Sequence, residues 1–380
     1  MLILNNILLI HLLFKTREIK EINFLLSKNK SLLTIKRTKK IFIGFDNSAG
    51  YSVRLTKGFR QLGIKADLFL NGVHPFGFNY PSASIIRYPR NKWLKRIFIR
   101  YFFFKCLINY NAFLFISTQT FLKNYKELKI LRFLGKKTVM TFVGCDIQQP
   151  ELTFKPEIPF SACHNCTQEY KDFVGCVPEI KPIRTRKIEK LIDTIMTHSV
   201  FREMLQRDFI HINQPINIEE FPKDISITSN AIPVILHAPS NFGYKGTQYI
   251  LNAIEVLKKD FDFEFKLIQN VNINLLYEEI SKADIIVDQL TQGWYGMLPL
   301  EAMMYKKPVI CYLRDDVLKA LPGDCPIINA NPDTIYKILK WCLLNKNTWA
   351  EIGERGRIYV EKYHDAKLIA SQYAKILLNI

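Results

Sequence analysis

The chain contains no run of about 18 or more apolar residues, the length an α-helix needs to cross a bilayer. No segment is therefore expected to span a membrane. Its apolar opening, residues 1–14 (MLILNNILLIHLLF), lacks the leading positive charge and the small-residue cleavage site of a secretory leader. Lys15 and Arg17 come after it instead. The opening reads either as an amphipathic anchor or as an extension ahead of the folded region. Without an export signal, the eight cysteines are expected to stay reduced. Acidic residues are scarce: 35 Asp and Glu face 53 Lys and Arg, leaving a net charge of +18. That excess favours anionic partners such as nucleic acid, acidic lipid or phosphorylated substrates. Compositional drift in an A/T-rich genome would raise Lys, Asn and Ile in the same way. Low-complexity tracts and short repeats are absent too, which excludes solenoids and linker-like arrays.

What is present is the composition of a folded globular protein, 48% hydrophobic and 23% charged. At 380 residues the chain exceeds one ordinary core, so two domains are expected. The first apolar run, residues 40–45, ends in Asp46-Asn47-Ser48-Ala49-Gly50; a helical pattern follows at 52–62, then a strand at 66–70. Strand, glycine-containing loop, helix and strand make a βαβ unit, whose loop and helix N-terminus suit an anion. Further strands are predicted at 112–117 and 137–142, the latter running into Val143-Gly144-Cys145-Asp146. That places Asp146 at a strand C-terminus, the edge where open α/β sheets bind ligands. A polar stretch, 216–232, reads as a linker. A second alternating series begins at Pro233, with strands at 234–237, 263–269, 284–288 and 309–312. The expected architecture is α/β, with two doubly wound Rossmann-like domains facing across a cleft. Residues 1–39 form an extension, 40–215 the first domain, 216–232 the linker and 233–380 the second, its last helix crossing back.

The second series carries a resemblance. Ala283-Asp284-Ile285-Ile286-Val287-Asp288-Gln289 is followed by Gly293-Trp294-Tyr295-Gly296-Met297-Leu298-Pro299-Leu300-Glu301 and Lys307-Pro308-Val309-Ile310. With His237-Ala238-Pro239-Ser240, Lys245-Gly246-Thr247 and the stretch EIGERGRIYVEKYHD at 351–365, this resembles the donor domain of retaining GT-B glycosyltransferases of the family-four kind. The likeness is good over 233–378 and loose over 40–147. It implies sugar transfer from a nucleotide diphosphate donor to a saccharide or polyprenyl-linked acceptor, in cell-surface polysaccharide synthesis. Gly50, Ser240, Gly246, Tyr295, Gly296, Met297 and Leu298 would bind the donor, and Lys245 would charge-pair with its phosphates. Glu301 would accept the ribose hydroxyls, and Asp146 would bind or polarise the acceptor hydroxyl. Physically, Pro299 suits a first helical turn, and the unpaired amides of Met297 and Leu298 would face an anion. The lysine and amides supply the electrostatics, so catalysis requires no cofactor or metal in this reading. Two departures stand out: the family has a Glu where this chain has Gly293, and residues 240–244 lack the usual Arg.

Other readings remain beside these. Glu301 could simply favour a helix dipole, Lys245 could be a surface lysine, and Asp146 could be a turn cap. Cys163 and Cys166, spaced C-x-x-C, with Cys176 third and Cys145 or His164 fourth, suit a structural zinc, or else are core thiols or a redox pair. His198, His211 and His237 read as core or loop residues. Residues 91–110 interleave Lys and Arg with aromatic and aliphatic residues, as a membrane-surface helix or a solvated core helix would. No nucleic-acid-binding module is recognisable, so no nucleic-acid partner is expected. The expected location is the cytoplasm, including the inner face of the membrane. A catalytically impaired member, a nucleic-acid binder, or an epimerase or phosphorylase on the same scaffold are the rival functions.

Overall fold

The computed structural model describes residues 39–72, 83–153, 158–225 and 230–380. The proposed extension, up to residue 38, and residues 226–229 of the proposed linker lie outside the described residues.

Strand β1 (Lys40–Phe45) buries Ile41, Phe42 and Ile43 completely. Strands covered on both faces need no alternation, which is why KIFIGF reads as one apolar run. Helix α1 (Tyr51–Gln61) leads to β2 (Lys65–Leu70), parallel to β1. The unit continues through β3 (Ala83–Ile85), α2 (Lys92–Asn109), β4 (Ala112–Ile116), α3 (Lys126–Phe133) and β5 (Lys137–Phe142). It ends with α4 (Ile180–Leu191), β6 (Thr194–Thr197) and β7 (Ile210–His211). These strands form one parallel sheet in the order β3-β2-β1-β4-β5-β6-β7. One face carries an aromatic cluster in which Phe42, Phe45, Phe113 and Phe115 surround Phe121.

The second sheet uses β8 (Val234–His237), α5 (Thr247–Leu257), β9 (Glu264–Leu267), α6 (Ile273–Lys282), β10 (Ile285–Val287), α7 (Met297–Met304) and β11 (Val309–Cys311). With β12 (Ile328–Asn329), its order is β12-β11-β10-β8-β9, again parallel. The sequence pattern ends this series with the strand at 309–312. Instead β12 (Ile328–Asn329) pairs outside it, a two-residue strand too short to leave a periodic signal. Each sheet reverses its winding beside its first strand, between β1 and β4 and between β8 and β10. Such switch points leave a crevice at the strand C-termini.

The chain crosses between the two sheets at two adjoining places. The Ile216 amide donates to the His364 carbonyl at 2.7 Å, and the Ala366 amide donates to the Ile216 carbonyl at 2.8 Å. After α10 (Trp349–Tyr363, numbered after α8, Asp315–Ala320, and α9, Ile335–Leu344), the last helix α11 (Ala366–Leu378) lies on α1 of the first domain. It buries Ile369, Ala370, Tyr373 and Leu377 there, and Tyr373 Oη lies 2.9 Å from Tyr51 Oη. The approach is close enough that a Cβ on Gly58 would stand 2.1 Å from the Ala366 carbonyl oxygen. We therefore expect Gly58→Val to force α11 off α1 and to lower stability by about 3 kcal/mol or more, readable as a urea midpoint shift.

Candidate functional site

The C-terminal ends of β1, β5, β8 and β10 open onto one cleft of about 710 Å³ between the two sheets. That volume lies in the range of small-ligand pockets. Asp146, Ser240, Lys245, Gly296, Met297, Leu298 and Glu301 all line it, so the structure gathers residues from distant parts of the sequence.

Helix α7 begins at Gly296, which has extended backbone and no side-chain cap. The amides of the first turn have no intrahelical acceptors and carry the positive end of the dipole. Among the described residues, no atom beyond its chain neighbours lies within 4 Å of where a Gly296 Cβ would be, so an anion can approach the backbone there. Lys245, at the end of a single helical turn (Phe242–Lys245), reaches the same cleft. Its Nζ donates to Asp288 Oδ1 and Gln289 Oε1, both at 2.8 Å. It is thus neither a surface lysine nor a free one: its side chain is 12% exposed and that of Asp288 is fully buried.

Glu301 sits one turn into α7, buried, with Oε1 accepting from Arg54 Nη2 and from Tyr277 Oη at 3.3 Å. Arg54 comes from α1 across the cleft and also donates to Tyr277 Oη at 3.1 Å and to the Ala49 carbonyl at 3.3 Å. Burial works against the guanidinium charge, but Glu301 and then Tyr277 hold its pKa above the ordinary value. Among the described residues no hydrogen bond to Glu301 Oε2 is formed, so that oxygen remains for a ligand. Sequence reasoning missed Arg54. Its one signal was the spacing of a helical turn from Gly50, which puts the side chain beneath the loop.

Asp146 accepts from its own turn, with Oδ1 2.7 Å from the Gly144 amide and 3.2 Å from that of Val143. It therefore does cap a turn, and it also faces the cleft. Burial pushes its pKa up to about 7, against the pull of the two amides. Arg184 Nη2 fixes the same turn by donating to the Asp146 carbonyl at 2.8 Å.

Three of the expected donor contacts stand elsewhere. Tyr295 is wholly buried, its hydroxyl 3.1 Å from both Tyr359 Oη and His364 Nε2. Gly246, at φ 73°, joins the Lys245 turn to α5 behind the cleft wall, where a Cβ would meet Thr291 at 3.0 Å. Gly50 lies behind Ser48, Ala49 and Tyr51, which do line the cleft. His237 is a core residue, bonded to the Val287 carbonyl at 2.7 Å and Thr247 Oγ1 at 2.9 Å.

The cysteine-bearing segment lies over the Lys245 turn. A Cβ on Gly243 would stand 2.0 Å from the Asn165 carbonyl oxygen, and Tyr170 packs against Tyr244 with ring centroids 5.4 Å apart. Cys145, Cys163, Cys166 and Cys176 are free thiols. Among the described residues no three His, Cys, Asp or Glu side chains converge to hold a metal ion. Burial pushes the Cys145 thiol up to about 12 and raises Cys163 and Cys166, so in this arrangement they stand as thiols. The residues as arranged do not fit a zinc ion.

Comparison with known proteins points to one architecture. No protein-family model matches the sequence, and no curated protein matches it in sequence. Solved structures do match in fold. A sucrose-phosphate synthase from Thermosynechococcus elongatus superposes with a TM-score of 0.63 at 13% identity, covering 89% of this chain and 98% of that one. HepE from Anabaena, in complex with UDP-glucose, gives 0.62 at 12% identity, over 90% and 100%. A glycosyltransferase from Rickettsia africae gives 0.61 at 13% identity, over 91% and 100%. The chain has the GT-B fold, two parallel-sheet α/β units around a cleft, as these glycosyltransferases do.

Proposed function

We propose that the chain is a glycosyltransferase that moves a sugar from a nucleoside diphosphate to a saccharide or lipid-linked saccharide. The observation that carries this is the convergence of the uncapped α7 N-terminus, Lys245 and Glu301 on one cleft. Met297 and Leu298 amides would hold the diphosphate, Lys245 would offset charge on the departing nucleotide, and Glu301 Oε2 would accept from the ribose. In this reading the helix N-terminus and Lys245 offset the phosphate charge without a metal, and transfer retains configuration. Complexes of the structural neighbour HepE contain UDP and UDP-glucose, which makes uridine the first base to try. Titration calorimetry with UDP, GDP and ADP tests the site. One of them should bind, and Glu301→Ala should weaken it at least about tenfold; indifference of all three would sink the proposal.

Asp146 would orient the acceptor hydroxyl as a carboxylate. With a pKa raised to about 7, it gives kcat/KM an acid limb: activity rises as pH passes through that value. Asp146→Asn should flatten the limb; an unchanged profile would leave Asp146 a turn cap only.

The acceptor is expected at an acidic lipid surface. The second half of α2 packs inward through Phe103, Cys106 and Leu107, whereas Trp93, Leu94, Ile97 and Tyr101 are exposed beside Lys92, Lys95 and Arg96. No helix among the described residues is long and apolar enough to cross a membrane. A surface contact through this first half fits the +18 charge. Vesicles containing phosphatidylglycerol should retain the protein, and Trp93→Ser with Lys95→Glu should release it. Equal retention by neutral vesicles would remove the electrostatic part of this reading.

A further inference from the structure

The first domain's side of the cleft holds two cations without a carboxylate partner. Lys181 and Arg184, one turn apart at the start of α4, both line the cleft. Lys181 Nζ donates to the Gln148 carbonyl at 3.0 Å, and Arg184 Nη2 donates to the Asp146 carbonyl at 2.8 Å. Those carbonyls are two residues apart on one turn, so the cations stand side by side next to Asp146. Lys181 is 3% exposed and Arg184 is half-buried. A lysine is seldom buried so deeply unless an anion accompanies it. Among the described residues neither cation has a carboxylate within ion-pair distance.

An apolar strip leads away from these cations. Val174, which lines the cleft, is followed at every third residue by Val177, Ile180 and Ile183, all exposed and the last to 70%. Backbone turns hold the strip: the Val174 amide donates to the Tyr170 carbonyl at 3.0 Å and the Ile180 amide to the Val177 carbonyl at 3.2 Å. Ile180 and Ile183 share the first turn of α4 with Lys181, so charge and apolar surface adjoin. Helices α2, α3 and α4 cover one face of the first sheet, sharing a core through Phe103, Leu128 and Ile188. Each runs back against parallel strands and so begins at the strand C-terminal edge, where the cleft opens. Exposed Trp93 and Leu94 at the start of α2 therefore project from the same edge as Ile180 and Ile183.

We propose that the acceptor is a sugar carried on a lipid phosphate or diphosphate. Arg184 and Lys181 hold the phosphate, and the hydrocarbon chain runs along Val174, Val177, Ile180 and Ile183. This rests on the cleft being a sugar-transfer site. A guanidinium matches phosphate oxygens in geometry, and Lys181 adds charge from beneath, where solvent screens it little. Because Arg184 is bonded to the Asp146 residue itself, the hydroxyl that Asp146 orients belongs to the sugar next to the phosphate. A free oligosaccharide would leave both the cations and the strip unused. The chain leaves the cleft along the edge from which α2 projects, so the acceptor can be taken up from the lipid surface.

The test uses farnesyl diphosphate, which has the anion and the chain but no sugar, beside inorganic diphosphate and farnesol. Wild type, Arg184→Gln and Ile183→Glu would be titrated with each, alone and with UDP, GDP or ADP at saturation. Thermal melts check that both variants fold, and Ile183 is exposed enough for its replacement to leave the core intact. Wild type should bind farnesyl diphosphate at least about tenfold more tightly than inorganic diphosphate or farnesol, and should still do so with the nucleotide bound. Arg184→Gln should weaken it about tenfold, and Ile183→Glu should do the same while leaving inorganic diphosphate unchanged. Both variants should bind the nucleoside diphosphate as wild type does. Displacement of farnesyl diphosphate by the nucleotide, indifference to both substitutions, or affinity no better than that of inorganic diphosphate would overturn the acceptor assignment alone. A wild type that binds farnesyl diphosphate as described but no nucleoside diphosphate would overturn the donor-site reading and leave the lipid phosphate site standing.

Discussion

Lys245→Ala should both destabilise the protein and abolish transfer, and the two losses should be separable. Asp288 is fully buried, and Lys245 is its charged partner at 2.8 Å; among the described residues Asp288 Oδ2 has no hydrogen-bond partner. Removing the lysine strands a buried carboxylate, which typically costs about 3–5 kcal/mol. Replacing both members, as Lys245→Met with Asp288→Asn, leaves no buried charge and should recover most of that stability. It should not recover turnover. A single well-placed cation or hydrogen-bond donor at developing charge is worth about a hundredfold to a thousandfold in kcat. Thermal melts and initial rates on the single and double variants decide the matter. A double variant that regains both stability and rate would make Lys245 a structural residue.

Arg54→Ala should weaken donor binding without touching the donor. The Arg54–Glu301 pair joins α1 to α7 across the cleft, with side chains 7% and 6% exposed. Truncation leaves Glu301 buried beside only the Tyr277 hydroxyl, at a cost of about 3–5 kcal/mol in stability. It also frees the carboxylate to swing away from the position the ion pair holds at the cleft wall. Nucleoside diphosphate affinity should fall about tenfold or more, and Arg54→Lys, which keeps the charge but loses the fork, should recover part of it. In a double-mutant cycle with Glu301→Ala, the coupling in binding energy should be about 1–3 kcal/mol. Additive losses would show that the pair holds the domains together and does nothing for the nucleotide.

The fold was legible because its central strands are buried on both faces. Apolar runs such as residues 137–142 mark themselves between turns, and the βα series then fixes the class. The glycine and proline of Gly296 and Pro299 bracketed the α7 N-terminus to within a residue. What remained hidden was set by contacts between distant segments. Arg54 and Glu301 are separated by almost the whole cleft in sequence, and neither local spacing nor propensity announces their ion pair. Tyr295 shows the converse. Its place in a donor-like motif suggested a ligand contact, whereas its ring fills the core and its hydroxyl meets Tyr359 and His364. His198 is a core or loop residue by pattern, and only the Val200 amide bonded to its Nδ1 shows which nitrogen has no partner among the described residues. The cysteine spacing suggested convergence that the irregular segment does not produce, since its geometry follows from packing over the Lys245 turn.

The most direct test of the account is release of nucleoside diphosphate from UDP-, GDP- and ADP-linked sugars, with and without saccharide acceptors. Wild type should release nucleotide from one of these donors in an acceptor-stimulated reaction. Glu301→Ala and the Lys245→Met, Asp288→Asn double variant should release none above background. Release that is indifferent to both substitutions, or binding of no donor by the wild-type protein, would contradict the placement of the donor on α7.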